Sequence, residues 1–385
     1  MWFPSILALC IYCTVIIIPS YGNKDSCQTH DKIVKAGYTA ERYDVVTEDG
    51  YILEVNRIPR GKGSSWSSKR PVVFMMHGLT GCSNCYVELG PQYAMGFNLA
   101  DSGFDVWLGN ARGVGNSRRH KTLNPDNNRQ KSKFFDFSWE EIALYDLPAM
   151  IDFALKTTGQ DKLHYIGHSQ GGTVFLVLNS MKREYNKKFI SAHLLAGVGY
   201  QKNFPHSLLK TAARFTTTIH NLAKTSGIYE ILGPDWNSKN AIAKSGCANG
   251  ACARSSEVED IIEEIVDGAD LMAGSSVKQF AHYGQNINDK IFRRFYYTPS
   301  INLLMYGSLN PPKYDLKKVD VDVIMHYALG DEILDERDVL SMVADLPRAK
   351  ARKVAKDNFS HVDFVGSSLV KQLVTDYVIA DLKRR

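Results

Sequence analysis

Residues 162–182 read KLHYIGHSQGGTVFLVLNSMK, and the fold turns on how they divide. Lys162–Ile166 has the length and apolar content of a short buried strand, and Gln170–Lys182 is a helix of mostly small and apolar residues. Between them lies Gly167-His168-Ser169-Gln170-Gly171, a Gly-x-Ser-x-Gly pentapeptide. Alone, that pattern should arise by chance on the order of 0.1–0.2 times in a chain of this length. Its setting makes it specific. A strand that runs into a serine, with a helix starting straight after it, is the strand–turn–helix that exposes a nucleophilic hydroxyl at a strained turn. The glycines are needed for space, because side chains at 167 or 171 would collide with the neighbouring strand and helix.

The same rhythm extends to both sides. Tyr43–Arg60 alternates around Glu48-Asp49-Gly50, a β-hairpin pattern. Pro71–His77 and Phe104–Leu108 are continuous apolar runs that each stop at a glycine, as strands buried on both faces should. Trp139–Thr158 carries apolar residues at helical spacing with Gly159 just past its end, and Ile190–Gly199 is another strand. This alternation predicts a mostly parallel sheet flanked by helices. It breaks after Tyr200. Residues from Gln201 to Pro312 carry helix-like patches and no clear buried strand, and the sheet pattern resumes at Val319–Leu329. The expected organisation is a core formed by residues 23–200 and 313–385, with a helical cap or lid inserted at 201–312.

The chain has 385 residues, 44% of them hydrophobic and 23% charged, enough for a sizeable core. The surplus of +5 is small, and no basic run is interleaved with aromatics as a nucleic-acid site would need. Arg118-Arg119-His120-Lys121 and the tail Lys383-Arg384-Arg385 read as solvated surface. At the start, an apolar stretch from Ile6 to Ile18 precedes Ser20 and Gly22, small residues at the positions that signal peptidase reads. Residues 1–22 are therefore expected to be a signal peptide, with a retained signal anchor as the alternative. The stretch is short for a membrane span and no other segment is long and apolar enough, so no integral membrane span is expected.

Removing the signal leaves five of the seven cysteines: Cys27, Cys82, Cys85, Cys247 and Cys252. An odd number in an oxidising compartment implies one free thiol or an intermolecular bond. Cys247 and Cys252 close a short loop rich in Gly and Ala and are expected to be bridged. Cys82-x-x-Cys85 is compatible with a zinc half-site, a redox pair or a local disulfide. No second Cys/His pair has metal spacing, so zinc is not expected and the two are expected to be joined to each other. Asn358-Phe359-Ser360 makes Asn358 a candidate glycosylation site.

A serine hydroxyl needs an imidazole to take its proton and a carboxylate to orient that imidazole. Around a strand–turn–helix serine the chain order is Ser, then Asp or Glu, then His. Asp331 follows Val321–Leu329 and Gly330 at a strand end, and His361 is the one histidine downstream of it. Glu332 is close by, while Asp335 and Asp338 read as the cap and first turn of the next helix. The developing oxyanion needs two amide donors, for which Gln170 and Leu79 are the candidates. His164 and His168 stand at i, i+4 on a strand and a turn rather than a helix, so they are not read as a metal pair. His168 is expected to pack inside the turn. No metal and no cofactor is expected.

Taken together, the residues resemble the acid (gastric/lysosomal) lipase family of animals, over nearly the whole mature chain. The similarity rests on Glu48 to Leu53, His77-Gly78-Leu79, Asp105 to Gly113, Phe137 to Glu141, Tyr145 to Ala149 and the Gly167–Gly171 turn. Beyond the insertion it includes Gly274 to Gln279, Asn310-Pro311-Pro312, Asp331 to Val339 and His361 to Phe364. The chain departs from the family pattern at Thr80–Tyr86 and at Gly366. The resemblance implies an α/β-hydrolase fold, Ser169, Asp331 and His361 as catalytic residues, and the Leu79 and Gln170 amides as oxyanion hole. It also implies cofactor-free hydrolysis of triacylglycerols or cholesteryl esters at a lipid–water interface by a secreted or lysosomal protein. The Cys247–Cys252 pair looks like the family's cap disulfide. The competing expectations are a carboxylesterase or thioesterase on smaller esters, and a catalytically silent lipid-binding homologue.

Overall fold

A computed structural model describes residues 27–63, 69–233 and 273–385. The expected signal peptide at residues 1–22 and the expected Cys247–Cys252 bridge lie outside the described residues. The strands are β1 (Glu41–Val46), β2 (Tyr51–Ile58), β3 (Val72–Met76), β4 (Asp105–Gly109), β5 (Arg119–His120) and β6 (Leu163–His168). They continue as β7 (Phe189–Leu195), β8 (Glu230–Ile231), β9 (Ser275–Ser276), β10 (Val323–Tyr327) and β11 (Ala349–Lys353). The main sheet runs β1-β2-β4-β3-β6-β7-β10-β11, with β5 added to β2. β1, β2 and β4 pair antiparallel, and every pair from β4 to β11 is parallel.

Burial follows position in this order. β3 (VVFMM) and β6 (LHYIGH) sit at the middle, and every residue of both is buried. β1 lies at the edge and alternates, as a strand with one wet face must. The β1–β2 hairpin is pinned from the core. Arg112, leaving β4, donates through Nη1 and Nη2 to Asp49 of the hairpin turn at 2.6 and 2.9 Å and through Nε to Asp146 at 2.8 Å. Its guanidinium also lies 3.9 Å from the Tyr51 ring centroid. Three stretches of the family resemblance therefore meet at one buried cation, fully satisfied by two carboxylates, as burial of a charge requires.

The helical stretch after it begins at a capping box. Ser138 accepts from the Glu140 amide, and Glu141 reaches back to the Ser138 amide at 2.6 Å. One turn, Ile142–Asp146, has π geometry, and the helix then runs Leu147–Thr158 and ends at Gly159 in the left-handed conformation (φ 60°).

Between Gln201 and Pro312 the described residues are mainly helical, with Ser207–Ala213, Thr216–Thr225, Val277–Asp289 and Pro299–Tyr306. The strands there are the two-residue pair β8–β9. No helix among the described residues is long and apolar enough to cross a membrane.

Two expectations need correction, and one strand is not legible in the sequence. Cys82 is bonded to Cys27, not to Cys85, and Cys85 is a buried free thiol. Sequence proximity suggested the local pair, but the chain brings Cys27 from 55 residues away against the same loop. Arg118 is not solvated surface: it is largely buried and forks onto Glu230 at 2.8 and 2.9 Å, joining β8 to the core. The edge strand β11 (AKARK) was not expected, because an exposed polar segment carries no apolar signal.

Candidate active site

Ser169 sits between β6 and the Gln170–Met181 helix with φ 50° and ψ −113°, a conformation that L residues rarely hold. Packing enforces it. A Cβ on Gly171 would lie 2.2 Å from the Met76 carbonyl oxygen, and one on Gly167 would lie 2.6 Å from the Gly171 carbonyl carbon. Neither can carry a side chain, so the helix closes directly onto β3 and the serine is pushed out at the strand end. Such strain persists only where the surroundings over-determine it.

The loops after β10 and β11 supply a histidine–carboxylate pair. His361 Nδ1–H donates to Asp331 Oδ2 at 2.8 Å, and Asp331 Oδ1 accepts the amides of Ile333 and Leu334 at 2.8 and 2.9 Å. The Asp331 side chain is inaccessible to solvent. Its oxygens are all committed, which fixes the imidazole with Nδ1 protonated and Nε2 available as a base. The two loops meet because Gly330 lacks a side chain; its Cβ would fall 2.9 Å from the Asn358 carbonyl carbon. Asp335 and Asp338 do other work. Asp335 caps the Glu336–Asp345 helix, and Asp338 accepts the amide and side chain of Asn203 at 2.8 and 2.9 Å. Glu332 is exposed, and Asn358 lies on an exposed turn.

His168 joins the serine turn to the histidine. Its Nε2–H donates to the His361 carbonyl oxygen at 3.0 Å. Burial, reinforced by His361, pushes its pKa down to about 3, so it stays neutral and holds position rather than titrating. His77, at the end of β3, accepts the Ala111 amide on Nε2 at 3.1 Å, and burial pushes it down to about 4. Both rings brace the loops that flank Ser169. His164 bonds Ser191 at 2.9 Å, and no cluster of His, Cys, Asp or Glu among the described residues could hold a metal.

The Leu79 and Gln170 amides have no acceptor among the described residues. Thr80, with φ 61°, turns the chain at Leu79, and its hydroxyl donates to the Leu79 carbonyl at 2.6 Å. The Gln170 side chain is held by Gln279 at 2.8 Å, which in turn donates to Ser275 at 2.7 Å. Sequence reasoning missed Gln279, whose one signal was its place in the Gly274–Gln279 stretch. Ser169 and Leu79 line a cavity of about 330 Å³, walled by Leu209, Ile219, Phe280 and Ile287 from the helices Ser207–Ala213, Thr216–Thr225 and Val277–Asp289. That size and apolar lining suit an acyl chain rather than a polar ligand.

A mostly parallel sheet with a strand–turn–helix serine and a histidine–aspartate pair on later loops defines the α/β-hydrolase class. The family model described as "alpha/beta hydrolase fold" matches residues 71–366, and one described as "Partial alpha/beta-hydrolase lipase region" matches residues 29–90. Lipase 3 of Drosophila melanogaster is 36% identical over 94% of this chain and 94% of its own length. Gastric triacylglycerol lipase is 34% identical in Rattus norvegicus and 33% in Homo sapiens, in each case over 89% of this chain and 88% of the relative. The chain belongs to the animal acid lipase family, and it is a carboxylic ester hydrolase.

Proposed function

We propose that the protein is a secreted or lysosomal lipase that cleaves acyl esters of neutral lipids, triacylglycerols or cholesteryl esters, through Ser169, His361 and Asp331. Ser169 Oγ attacks the ester carbonyl carbon while His361 Nε2 takes the hydroxyl proton. Negative charge gathers on the carbonyl oxygen, to which the Leu79 and Gln170 amides donate hydrogen bonds. As the tetrahedral intermediate collapses, the ester C–O bond breaks and the imidazolium returns the proton to the leaving alcohol. Water, deprotonated by the same imidazole, then attacks the acyl carbon, and the Ser169 Oγ–C bond breaks as the imidazolium returns the proton to Ser169 Oγ, releasing the fatty acid. Asp331 stabilises the imidazolium without being protonated.

The observation that carries this proposal is a His361–Asp331 bond of 2.8 Å together with a left-handed serine lining an apolar cavity. Gastric triacylglycerol lipases among the relatives support the choice of lipid. Division of the chain into a core and a cap over residues 201–312 is part of the same proposal. A panel of emulsified long-chain triacylglycerols, cholesteryl esters and short soluble esters tests it. Turnover of the long-chain emulsions is expected. Activity confined to the short soluble esters would overturn the lipid assignment.

A further inference from the structure

The stretch from Phe295 to Pro312 contains no charged residue, in a chain that is 23% charged. It leaves and rejoins the protein at one neck. Arg293 and Lys313 pair as an antiparallel bridge there, and the Arg294 and Tyr314 amides donate to the Pro312 and Phe292 carbonyls at 3.0 and 3.1 Å. The helix it carries, Pro299–Tyr306, is inside out. Its buried residue is polar: Asn302 accepts the Tyr297 amide at 3.0 Å and donates to the Leu309 carbonyl at 2.9 Å. Ile301, Leu303, Leu304, Met305 and Leu309 are exposed, Leu304 to 85%. A helix on a soluble protein ordinarily turns its apolar stripe inward. Single exposed leucines need no explanation, but five within nine residues form a patch that marks an interaction surface.

Two features say what covers it. First, the neck is basic: Lys290 and Lys313 are exposed and have no ion-pair partner among the described residues, while Arg293 and Arg294 are matched to Asp289 and Glu140. An uncharged apolar tip with unmatched lysines at its base complements an anionic lipid surface, with the tip below the headgroups and the lysines among the phosphates. Second, the stretch is rooted beside the cavity. The Phe295 ring packs 5.8 Å from His220, which lines the cavity, and 5.4 Å from His282.

We propose that residues 295–312 are a lipid-docking surface that seats the protein on an aggregate of amphiphiles with its cavity close to the interface. The biological purpose of such a surface rests on the lipase function proposed above, but its existence can be tested without catalysis. Full-length protein is floated with vesicles of phosphatidylcholine alone and of phosphatidylcholine mixed with phosphatidylserine. Leu304→Asp with Met305→Asp should lower partitioning onto both vesicle types by at least about tenfold. Lys290→Ala with Lys313→Ala should lower it by about fivefold per lysine on the phosphatidylserine vesicles and leave the others unchanged. Turnover of a short soluble ester should be preserved in both variants, which reports that they fold. Ser169→Ala should float like the wild type, so a failure of the catalytic assignment would be seen separately. Flotation of the aspartate variant at the wild-type level would overturn the proposal. So would a wild-type dimer in sedimentation that the aspartate pair dissolves without changing flotation, which would make the patch a self-association face.

Discussion

Replacing Asp331 with asparagine separates the orienting role of this carboxylate from its structural one. Asp331 Oδ1 accepts two amides, at 2.8 and 2.9 Å, and Oδ2 accepts His361 Nδ1–H at 2.8 Å. An asparagine has one oxygen and one NH2. Turning the NH2 toward the Ile333 and Leu334 amides would set donor against donor and forfeit two buried hydrogen bonds, at about 1 kcal/mol or more each. The oxygen therefore stays with the amides and the NH2 faces His361. The imidazole must then accept on Nδ1, carry its proton on Nε2 and lose the lone pair that would deprotonate Ser169. A wrong-tautomer base of this kind lowers kcat by about 10⁴-fold in serine hydrolases. Because the backbone bonds survive, the melting temperature should fall by only a few degrees. The assay is hydrolysis of a chromogenic ester at neutral pH with thermal unfolding in parallel, alongside Asp335→Asn and Asp338→Asn. Those two variants should retain activity, since their carboxylates cap a helix and hold Asn203. An Asp331→Asn protein within about tenfold of wild type, or an equal loss at Asp335 or Asp338, would refute the tautomer argument.

Three further outcomes follow from the described residues. Non-reducing peptide mapping should recover Cys27 joined to Cys82 and Cys85 alkylated only after denaturation, since Cys85 is buried and its thiol pushed up by desolvation. Cys27→Ser with Cys82→Ser should cost about 4 kcal/mol in urea unfolding, the chain-entropy value for a loop of 55 residues; an unchanged midpoint would contradict this. Stability should also fall in acid. Burial holds His77 at about 4 and His168 and His282 at about 3, so all three stay neutral in the folded chain, whereas unfolded histidines titrate near their ordinary value of about 6.5. Between pH 6.5 and about 4 the unfolded state binds more protons. These three groups alone then withdraw on the order of 3 kcal/mol per pH unit. Urea midpoints at stepped pH should decline across this window, and a flat profile would count against the neutral histidines.

What was legible in the sequence was local or ordered along the chain. The Ser169 turn could be read because a buried strand, two glycines and an apolar helix stand next to one another within twenty-one residues. His361 could be read because one histidine follows Asp331, and the hairpin because alternation flanks Glu48-Asp49-Gly50. What escaped depends on partners far away in sequence. Arg118 looks solvated until Glu230, 112 residues on, folds over it. Cys82 looks like the mate of Cys85 until Cys27 arrives from the amino-terminal side. The brace from Gln279 to Gln170 spans 109 residues, and no local pattern announces it. β11 is polar and at an edge, so hydrophobic periodicity is silent about it.

The assignment of Ser169 as nucleophile is tested most directly by covalent labelling. Purified protein treated with a fluorophosphonate should be modified at a single residue, and peptide mapping should find the label on Ser169 with loss of ester turnover in step with labelling. Ser169→Ala should take no label and fall to background hydrolysis while unfolding at the wild-type temperature or above. Label on another residue, or ester turnover by Ser169→Ala above background, would contradict the assignment.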